Sequence, residues 1–118
     1  MSPTVKKSLN PVPIKERMKI PRQAMPEQAP EARAHNFEEV NLGYSAELAQ
    51  AEAQRCLECA KPTCIDSCPV SVKVTEFVEL IVAGKFLEAA AKIREDNVLP
   101  AITGRVCPQE DHCEGKCL

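Results

Sequence analysis

Tryptophan is absent from this 118-residue chain, tyrosine occurs once and phenylalanine only three times. The apolar fraction therefore rests on Ala, Val, Leu and Ile, and a core of such small side chains is thin enough to need a covalent or metal staple. The length allows one small domain. Charge of one sign is also missing. Residues 1–33 hold seven basic against three acidic side chains and residues 34–118 eight against fourteen, for a formal net charge of −2. A folded part that is acidic excludes a nucleic-acid reader. The N-terminal Met-Ser-Pro-Thr-Val-Lys-Lys-Ser has no apolar stretch after its charges, and no apolar run approaches membrane-spanning length. A secretory signal and a membrane span are thus not expected, and the chain is read as cytoplasmic. No strand-like alternation, Gly-rich nucleotide fingerprint, Ser-His-Asp set or carboxylate pair appears, so these residues are not expected to catalyse a reaction by themselves.

What the chain does have is cysteine and proline, seven and ten residues respectively. Cys56, Cys59, Cys64 and Cys68 form a C-x2-C-x4-C-x3-C-P run, and Cys107, Cys113 and Cys117 follow at C-x5-C-x3-C spacing. In a reducing compartment clustered thiols signify metal or redox chemistry more often than structural disulfides, and an odd number disfavours a purely disulfide account. Thiolates are soft donors suited to iron-sulfur clusters, zinc or copper(I).

Six of the prolines lie in residues 1–33. Proline removes a backbone donor and biases its predecessor away from helix, so this stretch is expected as a flexible, extended basic arm. Two readings stand for it, a docking strap that orders on a partner and a solvated tail. The remainder, 34–118, is expected to be a single all-α domain. Ser45 is a suitable N-cap for a helix over Ala46 to Glu58, whose last turn would carry the first thiols. The set Val74, Phe77, Val78, Ile81 and Val82 predicts a second helix ended by Gly84, and Phe86, Ala89, Ala90 and Ile93 predict a third from Lys85 to about Asp96. Their short connection makes a helical hairpin whose apolar stripes form core. Pro100 can open a further helical turn and Gly104 close it. The chain ends one residue after Cys117, which is read as a fragment of a longer polypeptide.

Cys56, Cys59 and Cys64 can curl around three corners of one cubane, while the Cys before a Pro in ferredoxin-type runs serves the other cluster. Cys56, Cys59 and Cys64 then need a remote partner, and Cys68 is free for a second group. That second group lacks one ligand, either a non-cysteine residue after Leu118 or, less simply, Glu110, Asp111 or His112. The rival is a zinc-binding helical interaction module without redox function, since zinc also takes four thiolates. The Cys-Pro run with its interleaved spacers fits two bridged clusters better.

Phe-Glu-Glu-Val-Asn-Leu-Gly-Tyr at 37–44, Ala-Glu-Ala-Gln-Arg-Cys-Leu-Glu-Cys at 51–59, Cys-Pro-Val at 68–70, Leu-Pro-Ala-Ile at 99–102 and Gly-Arg-Val-Cys-Pro at 104–108 carry a resemblance. Over residues 34–118 the chain resembles the N-terminal iron-sulfur domain of the NADPH-dependent glutamate synthase small subunit, a module shared with dihydropyrimidine dehydrogenase and related flavoprotein reductases. The resemblance implies an alpha-helical ferredoxin with two [4Fe-4S] clusters, one on Cys56, Cys59, Cys64 and Cys117 and the other on Cys68, Cys107 and Cys113. It further implies a non-cysteine fourth ligand downstream, and FAD and NADPH on a flavoprotein domain of the parent chain. The implied electron acceptor is the glutamate synthase large subunit or an equivalent catalytic partner.

Overall fold

The computed structural model describes residues 7–118. Seven short helices follow one another: α1 Ile14–Arg17, α2 Pro30–Arg33, α3 Ala46–Ala53, α4 Thr63–Asp66, α5 Val74–Val82, α6 Phe86–Arg94 and α7 Pro100–Val106, with a 3-10 turn at Glu114–Lys116. Among the described residues the only β pairing is an isolated antiparallel bridge between Glu27 and Asn41. The fold is all-α.

The α5–α6 hairpin is the frame. The apolar period of α5 turns Val82 inward, and α6 presents Ala89, which is 2% exposed. Gly84 ends α5 at φ +75°, a left-handed conformation that costs a side-chain-bearing residue. Its N–H donates to the Ile81 carbonyl and that of Lys85 to Leu80, both at 2.9 Å. This doubly bonded cap reverses the chain at once. Ion pairs Lys73–Asp96 and Lys92–Glu76, each 2.8 Å, tie the two helices together. Helix α3 packs on α5, and the Gln50 side chain donates to the Val82 carbonyl at 3.2 Å. Ser45 caps α3 by accepting from the Leu48 amide at 3.2 Å. The buried apolar set is Ala53, Val72, Val82 and Ala89, with no fully buried large side chain among the described residues. Of the expected stripes, Ala90 is exposed and Phe86 is 39% exposed.

Two element boundaries differ from expectation. Helix α3 stops at Ala53, so Cys56 lies beyond it in an irregular loop where Glu58 adopts φ +53°. Helix α7 continues through Gly104 to Val106, the Cys107 amide donating to the Thr103 carbonyl across it, while Thr103 donates to the Leu99 carbonyl at 3.0 Å and Arg105 reaches Glu39 at 2.8 Å.

The described part of the proline-rich stretch lies along the helices. Leu9 donates its amide to Glu79 of α5 at 3.0 Å, and Gln23 donates its amide to Glu52 of α3 at 2.8 Å. Tyr44 donates to the Gln23 carbonyl at 2.9 Å. Asn10 and Arg17 are buried, at 7% and 4% exposure.

Candidate metal centre

The seven thiols are all free and come from four places in the chain. Cys56 and Cys59 sit on the loop after α3, Cys64 is within α4 and Cys68 follows it. Cys107 caps the C-terminus of α7, and Cys113 and Cys117 bracket the 3-10 turn. Cys107 and Cys117 are exposed and the other five half-buried.

Helix α4 packs against the 3-10 turn, and two hydroxyls fix the register. Thr63 donates to the Lys116 carbonyl at 2.8 Å, and the single Ser67 hydroxyl proton is shared among the carbonyls of Thr63 at 3.0 Å, His112 at 3.1 Å and Cys64 at 3.3 Å, the second of them across the seam. The first of these side chains precedes Cys64 and its acceptor precedes Cys117. The second precedes Cys68 and its acceptor across the seam precedes Cys113. Each bond thus aligns one thiol of the upstream run with one of the downstream run. Within the downstream run Gly115 lets the loop fold closely on itself, because a Cβ there would run into the backbone carbonyl oxygen of Glu110.

The electrostatics divide the thiols in the same way. Burial pushes the Cys56 thiol above its ordinary range, an amide hydrogen bond from Glu58 opposes this, and the charges of Glu58, Cys117 and Cys59 push it further. Burial likewise raises Cys64, with Cys56 and Cys117 adding to it and the Ile65 amide opposing. Cys113 is raised by burial and by Cys107 and Cys68, against the Glu114 amide. Cys56 thus feels Cys117 and Cys59, Cys64 feels Cys56 and Cys117, and Cys113 feels Cys107 and Cys68.

Among the described residues no three His, Cys, Asp or Glu side chains stand close enough to share one metal ion. Four thiolates around one zinc at ~2.3 Å lie about 3.8 Å apart. The corners of an iron-sulfur cubane are wider, because inorganic sulfide separates the irons. The all-thiol donor set, with amides beside Cys56, Cys64 and Cys113, fits such a cluster, and hydrogen bonds of that kind would help to tune its potential.

The basic residues flanking the thiols are largely engaged elsewhere. Arg55 pairs with Glu52 and Arg105 with Glu39, while Lys61 is exposed. Sequence reasoning passed over Thr63 and Ser67, whose roles depend on contacts across more than forty residues, and over Gly115, whose neighbour is Glu110 in the same loop. It also passed over Arg17 and Glu58. The Arg17 guanidinium donates to the Cys56 carbonyl at 2.9 Å and lies 3.3 Å from the Glu58 carboxylate. An isolated arginine among prolines carries no local signal of this.

A small all-α module that gathers soft thiols on irregular loops defines an iron-sulfur domain. Residues 33–118 match the family described as dihydropyrimidine dehydrogenase domain II, 4Fe-4S cluster. The chain is 39% identical over 106 residues to the putative oxidoreductase AegA of Escherichia coli (strain K12), covering 88% of this chain and 16% of that protein. It is 42% identical over 93 residues to the glutamate synthase [NADPH] small chain of Halomonas elongata, covering 78% of this chain and 20% of the relative. The NAD-dependent dihydropyrimidine dehydrogenase subunit PreT of Salmonella typhimurium is 38% identical over 81 residues, or 69% of this chain and 20% of that one. The chain spans no more than about a fifth of the length of these relatives. It belongs to the 4Fe-4S family of dihydropyrimidine dehydrogenase domain II, and the role of such a domain is electron transfer.

Proposed function

We propose that the chain carries two [4Fe-4S] clusters, one on Cys56, Cys59, Cys64 and Cys117 and one on Cys68, Cys107 and Cys113, the latter completed by a non-cysteine ligand following Leu118. The observation that carries this reading is the pair of hydroxyl-to-carbonyl contacts that set Cys64 beside Cys117 and Cys68 beside Cys113, and the thiols that Cys56, Cys64 and Cys113 feel fall into the same two groups. When bound, such clusters take and release electrons singly, which suits a relay from an NADPH-reduced FAD, where two electrons arrive together, to a second catalytic centre. The residues of this chain supply position and environment for that relay. The Glu58, Ile65 and Glu114 amides offer hydrogen bonds to sulfur, which favour the reduced, more negative state. The flavin is assigned to a flavoprotein domain of the parent protein, and the acceptor to a catalytic partner such as a glutamate synthase large subunit, in the cytoplasm. The names of the relatives, a glutamate synthase [NADPH] small chain and an NAD-dependent dihydropyrimidine dehydrogenase subunit, support a nicotinamide donor and a subunit role.

Anaerobic reconstitution with iron and sulfide tests the reading. The expected product is brown, with a broad visible charge-transfer band and about four irons per cluster. Cys117→Ser is expected to remove one paramagnetic signal of the reduced protein and Cys107→Ser the other. A colourless product with stoichiometric zinc and no sulfide overturns the proposal, as does loss of the same signal in both variants.

A further inference from the structure

The end of α3 is closed locally, the Gln54, Arg55 and Cys56 amides donating to the Gln50, Glu52 and Ala53 carbonyls. The loop that follows it is held from further away. Two of its carbonyls, those of Gln54 and Cys56, take donors from the N-terminal stretch. The Asn10 side chain donates to the Gln54 carbonyl at 3.0 Å, and Arg17 donates to the Cys56 carbonyl at 2.9 Å. The guanidinium also donates from Nε to the Val12 carbonyl at 2.7 Å and contacts the Ser8 hydroxyl at 3.4 Å. Ser8 in turn donates to Glu58 at 2.7 Å, so both Ser8 and Arg17 hold that carboxylate. Glu58 is the residue in the left-handed conformation, between Cys56 and Cys59. A charge only 4% exposed is tolerated because each of its neighbours is an acceptor, and a cation at a helix C-terminus is further favoured by the helix dipole.

We propose that residues 8–17 are a built-in clamp on the first thiol loop, with Arg17 as its positioning residue. Arg17 binds the Cys56 carbonyl and holds the carboxylate of Glu58, the residue in the left-handed conformation. The presentation of Cys56 and Cys59 to their cluster then depends on the N-terminal stretch as well as on the helices. This inference rests on the ligand assignment proposed above for the first cluster, but its effect on the loop exists without any metal.

The test uses Arg17→Met, which keeps length and removes every donor, and Arg17→Lys, which can reach one carbonyl but cannot fork to two. In the metal-free chain, amide hydrogen exchange at 56–59 is expected to accelerate about tenfold or more in Arg17→Met and by less in Arg17→Lys, with 107–117 unchanged. After reconstitution, the cluster on Cys56, Cys59, Cys64 and Cys117 is expected to yield to chelator about tenfold faster in Arg17→Met. Its paramagnetic signal is expected to shift while the other stays. Should Arg17→Met lose its helical circular dichroism, Glu58→Gln and Ser8→Ala take its place, with a few-fold faster exchange expected at 56–59 alone. Unchanged exchange at 56–59 in a folded variant overturns the clamp, and so does equal acceleration across the whole chain. A wild-type chain that takes up no iron and sulfide overturns the cluster assignment instead, leaving the exchange result to decide the clamp.

Discussion

Replacing Gly115 by alanine adds one methyl group at the point where the 3-10 turn meets the backbone of Glu110. The obstacle is a main-chain carbonyl, which cannot swing aside as the tip of a long side chain could, so the turn itself must shift. Overpacking of this kind costs about 1–3 kcal/mol. At about 1.4 kcal/mol per decade this becomes a roughly fivefold to 140-fold loss in the population that presents Cys113 and Cys117 together. Gly104→Ala is the matched control, since a Cβ there meets nothing within 4 Å. It lies inside α7, where alanine is favoured over glycine by about 0.8–1.0 kcal/mol. The assay is the rate at which a chelator bleaches the visible band of anaerobically reconstituted protein. Gly115→Ala is expected to bleach faster within that range, with helical circular dichroism intact because the α5–α6 frame is elsewhere. Gly104→Ala is expected to match the wild type. Equal rates for Gly115→Ala and wild type, or equally fast bleaching of the control, refute the argument that close backbone approach at residue 115 holds the downstream thiols.

Two further outcomes concern the frame. Gly84→Ala places a side chain at φ +75° and is expected to cost about 1–2 kcal/mol, read as a lower urea midpoint at unchanged slope; an unchanged midpoint would show that the hairpin tolerates a different cap. The hydrogen bond from Lys73, above all, holds the Asp96 carboxyl below the usual carboxylate range. With the folded value depressed, its contribution is complete above the unfolded value of about 3.9 and is lost as pH falls through the folded one. Lys73→Met is expected to lower stability at neutral pH and flatten the acid limb of the stability profile, and parallel profiles for the two proteins would count against the pair.

The parts of the fold legible in the sequence were those set by neighbours. The period of Val74, Phe77, Val78, Ile81 and Val82, with Gly84 behind it, announced a helix and its end, because the interactions responsible lie within a turn or two. Ser45 was legible for the same reason. The end of α3 was not. Its alanine stripe runs on through Cys56 and Leu57, and propensity alone would extend it to Glu58. Past its end the loop carbonyls of Gln54 and Cys56 take donors from Asn10 and Arg17, 44 and 39 residues away. Those contacts of the proline-rich stretch are not legible either, since prolines report the conformation of a segment but not what it lies against. In α7 the glycine suggests a stop, yet the backbone stays helical through it and the Cys107 amide donates to the Thr103 carbonyl across it. For the candidate site, cysteine spacing indicated the chemistry. The devices that bring the two runs together, Thr63 and Ser67, are ordinary residues whose meaning appears only when distant segments meet, and Gly115 gains its meaning from the fold of its own loop.

The seam between α4 and the 3-10 turn is asymmetric. Both of its donors are side-chain hydroxyls on the upstream side, and both acceptors are oxygens of the main chain on the downstream side. Every amino acid brings such an oxygen, so positions 112 and 116 are free to drift in sequence without unfastening the join, whereas positions 63 and 67 must keep a short hydroxyl. Tolerance to substitution should thus be lopsided across a contact that looks balanced in space.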